Sequence, residues 1–274
     1  VRTAPMLTTQ NVSFCYQDDV VLHDLTFDFG AYPVTGIVGK NGCGKSTLFM
    51  NLNGVLRPQK GAVLWQGKPI NTSKSGLIEH RQRVTTVFQD PEQQIFYTDI
   101  DSDIAFSLRN LGVNEAEIAR RVEQAIQLVD AQAFRHQPIQ YLSHGQKKRV
   151  AIAGALVMEA DYLLLDEPTA GLDPSGRQQM IEIIARIASQ GKHVVISSHD
   201  IDLIYEVCDG VYVLKDGKIM AAGAPGDVFS QADMLRDAGL VQPWLVKLHS
   251  ELGFPLCKTE TQLFNALRVS KEAL

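Results

Sequence analysis

Hydrophobic positions along the chain follow two different periods. "LTTQNVSFCY" (residues 7–16) and "VVLHDLTFDF" (20–29) set apolar, β-branched and aromatic residues in rough alternation with polar ones, which predicts antiparallel strands. "AVLWQGKPI" (62–70) predicts another strand with a glycine turn. "PVTGIVG" (33–39), "VTTVFQ" (84–89), "YLLLDEP" (162–168) and "HVVISSH" (193–199) are short, nearly unbroken apolar runs, the pattern of buried strands. "GVYVLKDGKIMAAG" (210–223) predicts a hairpin turning at Asp216-Gly217.

Between these runs the period lengthens to that of a helix. The stretch from Lys45 is helical until "NGVLRPQKG" (53–61) breaks it. "NEAEIARRVEQAIQLVD" (114–130) opens with Asn114 and has Glu117 three residues on, a capping signature. Ile118, Val122, Ala125, Ile126 and Val129 then form one apolar face. "RQQMIEIIARIASQG" (177–191) puts Met180, Ile183, Ile184 and Ile187 on one side, with Gly191 as its stop. Strands alternate with helices from about residue 34 to 200, so the fold class is α/β with a mainly parallel core sheet. Antiparallel strands flank it, and residues 225–274 turn helical, with breaks near Gly239, Pro243 and Gly253. The expected division is a core unit at 6–224 and a small helical appendage at 225–274. Met6 reads as a natural start, and residues 1–5 as a remnant outside the fold.

Composition narrows the function classes. The 274 residues carry a net charge of -5, which argues against a nucleic-acid-binding face as the main business. Cys15, Cys43, Cys208 and Cys257 form no CxxC pair, and the seven histidines form no HxH or HxxxH pattern. Reduced thiols inside a cell are expected, with no histidine–cysteine metal cluster. No apolar run approaches the ~18 residues of a membrane span, and "VRTAP" is followed by no apolar signal core.

The sharpest chemistry lies in "GKNGCGKST": Gly39, Lys40, Asn41, Gly42, Cys43, Gly44, Lys45, Ser46 and Thr47. It matches G-x-x-x-x-G-K-[ST], after a strand and before a helix. Glycines let backbone N–H groups wrap phosphates, and the helix N-terminus adds a favourable dipole. Lys45 would reach the β- and γ-phosphates, and the Ser46 hydroxyl would ligate Mg²⁺. "YLLLDEP" sets Asp166 and Glu167 where a buried strand emerges, the edge at which open parallel sheets bind ligands. Asp166 is placed to hold Mg²⁺ through water, and Glu167 to act as general base for a water attacking the γ-phosphate.

These motifs, with several others in order, make residues 6–224 resemble the ATP-binding-cassette ATPases. "GKNGCGKS" is similar to their Walker A and "YLLLDEP" to their Walker B. Gln89 in "VFQDPEQQIF" resembles the Q-loop glutamine, a further Mg²⁺ ligand and catalytic residue. "LSHGQ" (142–146) resembles the signature motif, "AGLD" with Asp173 the D-loop, and His199 in "ISSHD" the switch histidine. Tyr16 in "FCYQ" resembles the aromatic residue that stacks on adenine. The resemblance implies a P-loop ATPase fold: a core sheet, an antiparallel β subdomain and a helical subdomain at about 90–160.

It also implies a dimer in which two ATP molecules are sandwiched. Each site would join Walker A of one subunit to Ser143, Gly145, Gln146 and Asp173 of the other. Ser143 and Gln146 also fit S-x-x-Q, a capping box that simply satisfies orphan helix N–H groups. His144 departs from the usual glycine and adds bulk near that interface. The "KKR" of residues 147–149 reads as a solvated helix face. Only one clear helix stands between Gln89 and Ser143.

LSHGQ, "FQDPEQQIF" and the helical tail together most resemble ATPases of energy-coupling-factor importers, within those the cobalt type. That implies a homodimeric ATPase peripheral to the cytoplasmic face of a prokaryotic membrane. It would dock on a transmembrane coupling subunit, alongside a substrate-binding membrane subunit, through "DPEQQIFYTDIDSDIAF" (90–106). Nickel or a vitamin remains open as cargo. A soluble ATPase of this class in iron–sulfur assembly is a further alternative. A DNA-repair role is disfavoured because the long coiled-coil insertion of such members is missing. A regulator without turnover is disfavoured by the intact Lys45, Glu167 and His199.

Overall fold

The computed structural model describes residues 6–272. The remnant assigned to residues 1–5 lies outside the described residues. In chain order, the first half contains β1 (Leu7–Tyr16), β2 (Asp19–Leu25), β3 (Val34–Val38), α1 (Lys45–Leu52), β4 (Lys60–Trp65), β5 (Lys68–Pro69), α2 (Lys74–Arg83) and β6 (Val84–Val87). Helices α3 (Ile100–Asn110), α4 (Glu115–Leu128) and α5 (His144–Leu156) follow. The chain then returns to the sheet with β7 (Tyr162–Asp166), α6 (Pro174–Ser189), β8 (His193–Ser198), α7 (Ile201–Val207), β9 (Gly210–Lys215) and β10 (Lys218–Gly223). Four helices close it: α8 (Pro225–Phe229), α9 (Ala232–Asp237), α10 (Trp244–Leu252) and α11 (Glu260–Glu272).

Two sheets result. The antiparallel one has the order β2-β1-β4-β5, and the six-stranded one β10-β9-β3-β8-β7-β6. Within the larger sheet β9, β3, β8, β7 and β6 run parallel, and only the β9–β10 hairpin is antiparallel. Every residue of β3 and β7 is buried. That is why their sequences are continuous apolar runs rather than alternating ones.

The two faces of this sheet feed two cores. Ile37, Leu164, Val195 and Leu214 point toward α1 and the antiparallel sheet, where they meet Phe27, Phe29, Leu48, Phe49 and Leu52. Val38, Leu165, Val194 and Ile196 point the other way, into a core shared with α3 to α7 and the closing helices. Helix α1 is buried at Lys45, Thr47, Leu48, Phe49, Asn51 and Leu52. Most of its length is thereby packed against the sheet and the antiparallel strands.

Two helices depart from the apolar-periodicity reading. Helix α2 buries only Gly76 and His80, so it shows no apolar stripe. It starts on Ser73, whose side chain accepts from Gly76 N, and His80 Nε2 lies 2.7 Å from the Leu52 carbonyl. Helix α3 is a second helix where only one was expected between Gln89 and Ser143. Asp99 caps it, and Ile100, Ile104 and Leu108 are buried at helical spacing. That spacing is legible in "DIDSDIAFSL", but its acidic residues obscure it.

The closing helices pack on the sheet rather than standing off it. Val228, Phe229, Leu235 and Val246 join the main core, and Phe229 meets the Tyr205 ring of α7. Lys215 pairs with Asp237 at 2.7 Å, and Trp244 N donates to Asp202 Oδ1 at 2.9 Å. Burial raises the Asp202 pKa, while that backbone N–H opposes the rise. After α9 the chain turns at Gly239, whose φ is +68°, and the arm of Lys40 lies directly over it. A Cβ at 239 would stand 1.9 Å from Lys40 Cε. Gly239→Ala is therefore expected to cost about 1 kcal/mol of stability, read by urea unfolding. The loss should persist unchanged in a Lys40→Ala chain, because backbone strain rather than the movable lysine arm carries it. A loss that disappears with Lys40→Ala would place the cost in the side-chain contact instead.

Candidate functional site

The loop between β3 and α1 is shaped by its glycines. Gly42 and Gly44 have φ of +82° and +104°, in the left-handed region that side chains disfavour. Gly39 is excluded from carrying a side chain for another reason: a Cβ there would lie 2.4 Å from the Leu214 carbonyl oxygen. No side chain caps the N-terminus of α1. Its first N–H groups are thus left for an anion. Lys45 is 7% exposed and folds back across the loop, donating to the Gly39 carbonyl at 2.7 Å and the Lys40 carbonyl at 3.3 Å. Cys43 is buried in the same loop, and burial pushes its thiol pKa up.

The ends of β7 and β8 supply the opposite wall. Ser46 Oγ donates to Asp166 Oδ2 at 2.8 Å, and Ser197 Oγ donates to Asp166 Oδ1. Glu167 follows with a φ of 47°, uncommon for any residue but glycine. Its N–H donates to the Ser197 carbonyl at 2.9 Å. Its carboxylate accepts from Ser198 Oγ at 3.1 Å and from His199 N at 3.0 Å, with His199 Nδ1 at 2.9 Å. Asn41, Lys45, Ser46, Gln89, Asp166 and Glu167 line one cleft of 280 Å³, which Gly42, Gly44 and Thr47 help to enclose. Tyr16 does not line it. The ring is 45% exposed at the end of β1, edge-on to Phe14, while Val21 of the adjoining β2 does reach the cleft.

The donor set tests whether a metal would fit. Ser46, Gln89 and Asp166 bring a hydroxyl, an amide and a carboxylate to the cleft, a hard oxygen set matching Mg²⁺. Among the described residues no group of three or more His, Cys, Asp or Glu forms a metal cage. Such a site suits an ion that keeps several waters and shares phosphate oxygens.

The residues of "LSHGQ" lie elsewhere on the same chain. Ser143 and Gln146 form the expected capping box: Gln146 N donates to Ser143 Oγ at 3.3 Å, and Ser143 N to Gln146 Oε1 at 2.8 Å. Ser143, His144, Gly145 and Gln146 face Gly171 and Asp173 across a second cleft of 360 Å³. No described residue lines both clefts. Asp173 caps α6 by accepting from Gly176 N at 2.7 Å. The His144 ring lies against Gly171, so the side chain that replaces glycine in the signature packs on the neighbouring loop.

The reading of residues 147–149 as a solvated face is corrected. Lys147 pairs with Glu92, and Arg149 stacks on Phe134 at 4.7 Å while donating to the Asp130 carbonyl. Lys148 is 3% exposed, and its ammonium donates to the Glu167 carbonyl at 2.8 Å. Three consecutive helical residues fan over more than half of the helix circumference. With α5 buried on nearly every side, one of the three had to point inward. Ser197, Ser198 and Lys148 are contributors that sequence reasoning passed over. The serines sit beside His199 in the same strand run, which was the available signal.

A further surface gathers aromatics. Phe96 and Tyr97 are exposed and pack on Phe106 at 5.6 and 5.7 Å. Buried Asp103 organises the turn by accepting from Phe96 N and Tyr97 N, and burial raises its pKa.

Comparison with known proteins adds an independent line. The ABC transporter family profile matches residues 22–170. The chain is 72% identical over 263 residues to "Cobalt import ATP-binding protein CbiO" of Salmonella typhi, covering 96% of this chain and 97% of that one. It is 43% identical over 244 residues to "Energy-coupling factor transporter ATP-binding protein EcfA" of Methanocaldococcus jannaschii, covering 89% and 88%. The solved structure of cbiO1 from Clostridium perfringens, described as part of the ABC transporter complex cbiONQ, superposes with a TM-score of 0.78 at 38% identity. That match covers 90% of this chain and 99% of that one. Motif geometry, family profile and near-full-length relatives agree: this chain belongs to the ABC transporter family, as an ATP-binding subunit with ATPase activity.

Proposed function

We propose that the chain is the ATP-hydrolysing motor of an energy-coupling-factor importer for cobalt ions. The observation that carries the hydrolytic part is the Glu167 carboxylate, fixed by Ser198 and His199 at the rim of the phosphate-loop cleft. The importer part rests on near-full-length identity to a cobalt import protein.

In this reading the loop N–H groups and Lys45 bind the phosphates of ATP. Lys45 turns from its loop carbonyls to the β- and γ-phosphates, so no charge has to be newly desolvated. Ser46, Gln89 and Asp166 would hold Mg²⁺, which would offset the charge of the phosphates. Glu167 takes a proton from the attacking water while the bond from γ-phosphorus to the bridging oxygen breaks. His199 holds the Glu167 carboxylate in place and contacts the γ-phosphate edge. Tyr16 stacks on adenine from the hairpin beside the cleft.

Two copies complete two sites. The signature cleft of one subunit, with Ser143, Gly145, Gln146 and Asp173, covers the ATP held by the other. The capping box keeps the α5 N-terminus formed, and its dipole favours the partner's γ-phosphate. ATP shifts the pair toward closure only through contacts made in the closed state. The exposed Phe96–Tyr97–Phe106 surface is the dock for the transmembrane coupling subunit, which works with a substrate-binding membrane subunit. Among the described residues no helix is long and apolar enough to cross a membrane, so membrane association at the cytoplasmic face would run through these partners.

Glu167→Gln is expected to bind ATP, lose turnover by about 10²–10⁴-fold and accumulate closed dimer on size exclusion. Normal hydrolysis would remove Glu167 from its role. Lys45→Ala and Ser143→Arg chains should each be inactive alone yet recover turnover when mixed, because the mixed dimer holds one intact site. No recovery would contradict sites shared between subunits. In cells, deletion of the gene should abolish uptake of radioactive cobalt far more than that of nickel; an equal loss of both would broaden the cargo.

A further inference from the structure

Lys148 has no part in the steps just described, yet its placement is costly. An ammonium taken out of water is tolerated only where other groups replace its hydration. On the second turn of α5, Lys148 donates to the Glu167 carbonyl at 2.8 Å. The carboxylates of Glu167, Asp166 and Asp90 supply a favourable potential, but burial still holds its pKa down to about 8. The residue it grips is itself strained. Glu167 has a φ of 47°, and such a backbone persists only where its surroundings over-determine it. Its N–H is held by the Ser197 carbonyl at 2.9 Å, and its carbonyl also accepts from Ala170 N at 3.2 Å. The direction of a Cα–Cβ bond follows from the backbone that carries it. Whatever clamps the peptide therefore aims the carboxylate.

We infer that Lys148 is a positioning residue for Glu167: its bond to the Glu167 carbonyl maintains the left-handed backbone that points the carboxylate into the cleft. This rests on Glu167 acting as the general base. Lys148 lies on α5, which Ser143 caps, so the clamp ties the base of one site to the helix that reaches the other.

The test compares full-length chains carrying Lys148→Met, Lys148→Gln, Glu167→Gln and the Lys148→Met/Glu167→Gln pair, under steady-state and single-turnover conditions. Lys148→Met is expected to lower kcat about tenfold, with KM and equilibrium ATP binding changed less than about twofold. Lys148→Gln, which keeps an N–H donor, is expected to lose only about threefold. In the Glu167→Gln background Lys148→Met should add no further loss, since no base remains to be aimed. Should Lys148→Met fail to fold, Lys148→Gln carries the same comparison. A Lys148 variant that keeps wild-type kcat, or one whose loss recurs in full on top of Glu167→Gln, overturns the assignment while leaving Glu167 as base. Normal turnover by Glu167→Gln removes the base itself, and this inference with it.

Discussion

Everything at the cleft depends on the register of three parallel strands. Strand β8 lies between β3 and β7, with Val38 opposite Ser198 and Asp166 opposite Ser197. Those pairings bring three carboxyl ends to one level. The phosphate loop leaves from the first, Asp166 and Glu167 from the second, and Ser197, Ser198 and His199 from the third. Parallel strands gather their carboxyl ends on one edge, and that edge is where such sheets bind ligands. A slip by one residue would turn Ser197 to the opposite face and leave Asp166 without its hydroxyl. The hydrogen bonds of Asp166 to both Ser46 and Ser197 then lock strand ends to the first turn of α1.

The chemistry is divided by design of the topology. Helix α1 begins at the cleft with a free N-terminus, whereas α5 begins with a fully satisfied capping box on a different face. One helix end is left open to an anion. The other is preformed and stable in the absence of any ligand. In the proposed dimer such a chain would hold both half-sites ready, and the energy for joining them would come from the nucleotide that both would touch.

Much of this was legible in the sequence because the informative residues sit at element boundaries. The glycine pattern of the phosphate loop, the acids after "YLLL" and the histidine after "HVVISS" each mark the end of a strand. What stayed hidden depended on relations that no local window contains. Helix α2 is held by a serine cap and by His80 reaching the Leu52 carbonyl, with no apolar stripe to betray it. Lys148 looked like one of three surface cations, since nothing in "KKR" tells which member faces the core. The backbone strain at Glu167 likewise emerges only when β8 and α5 close around it.

The contact of Gly239 with Lys40 couples the closing helices to the loop between β3 and α1. Here the turn after α9 supplies the floor on which a phosphate-loop side chain rests, and Asp237 anchors that floor to β9. A side chain at 239 would push the movable Lys40 arm aside, so a change in the tail would be felt at the phosphate loop far from it in sequence.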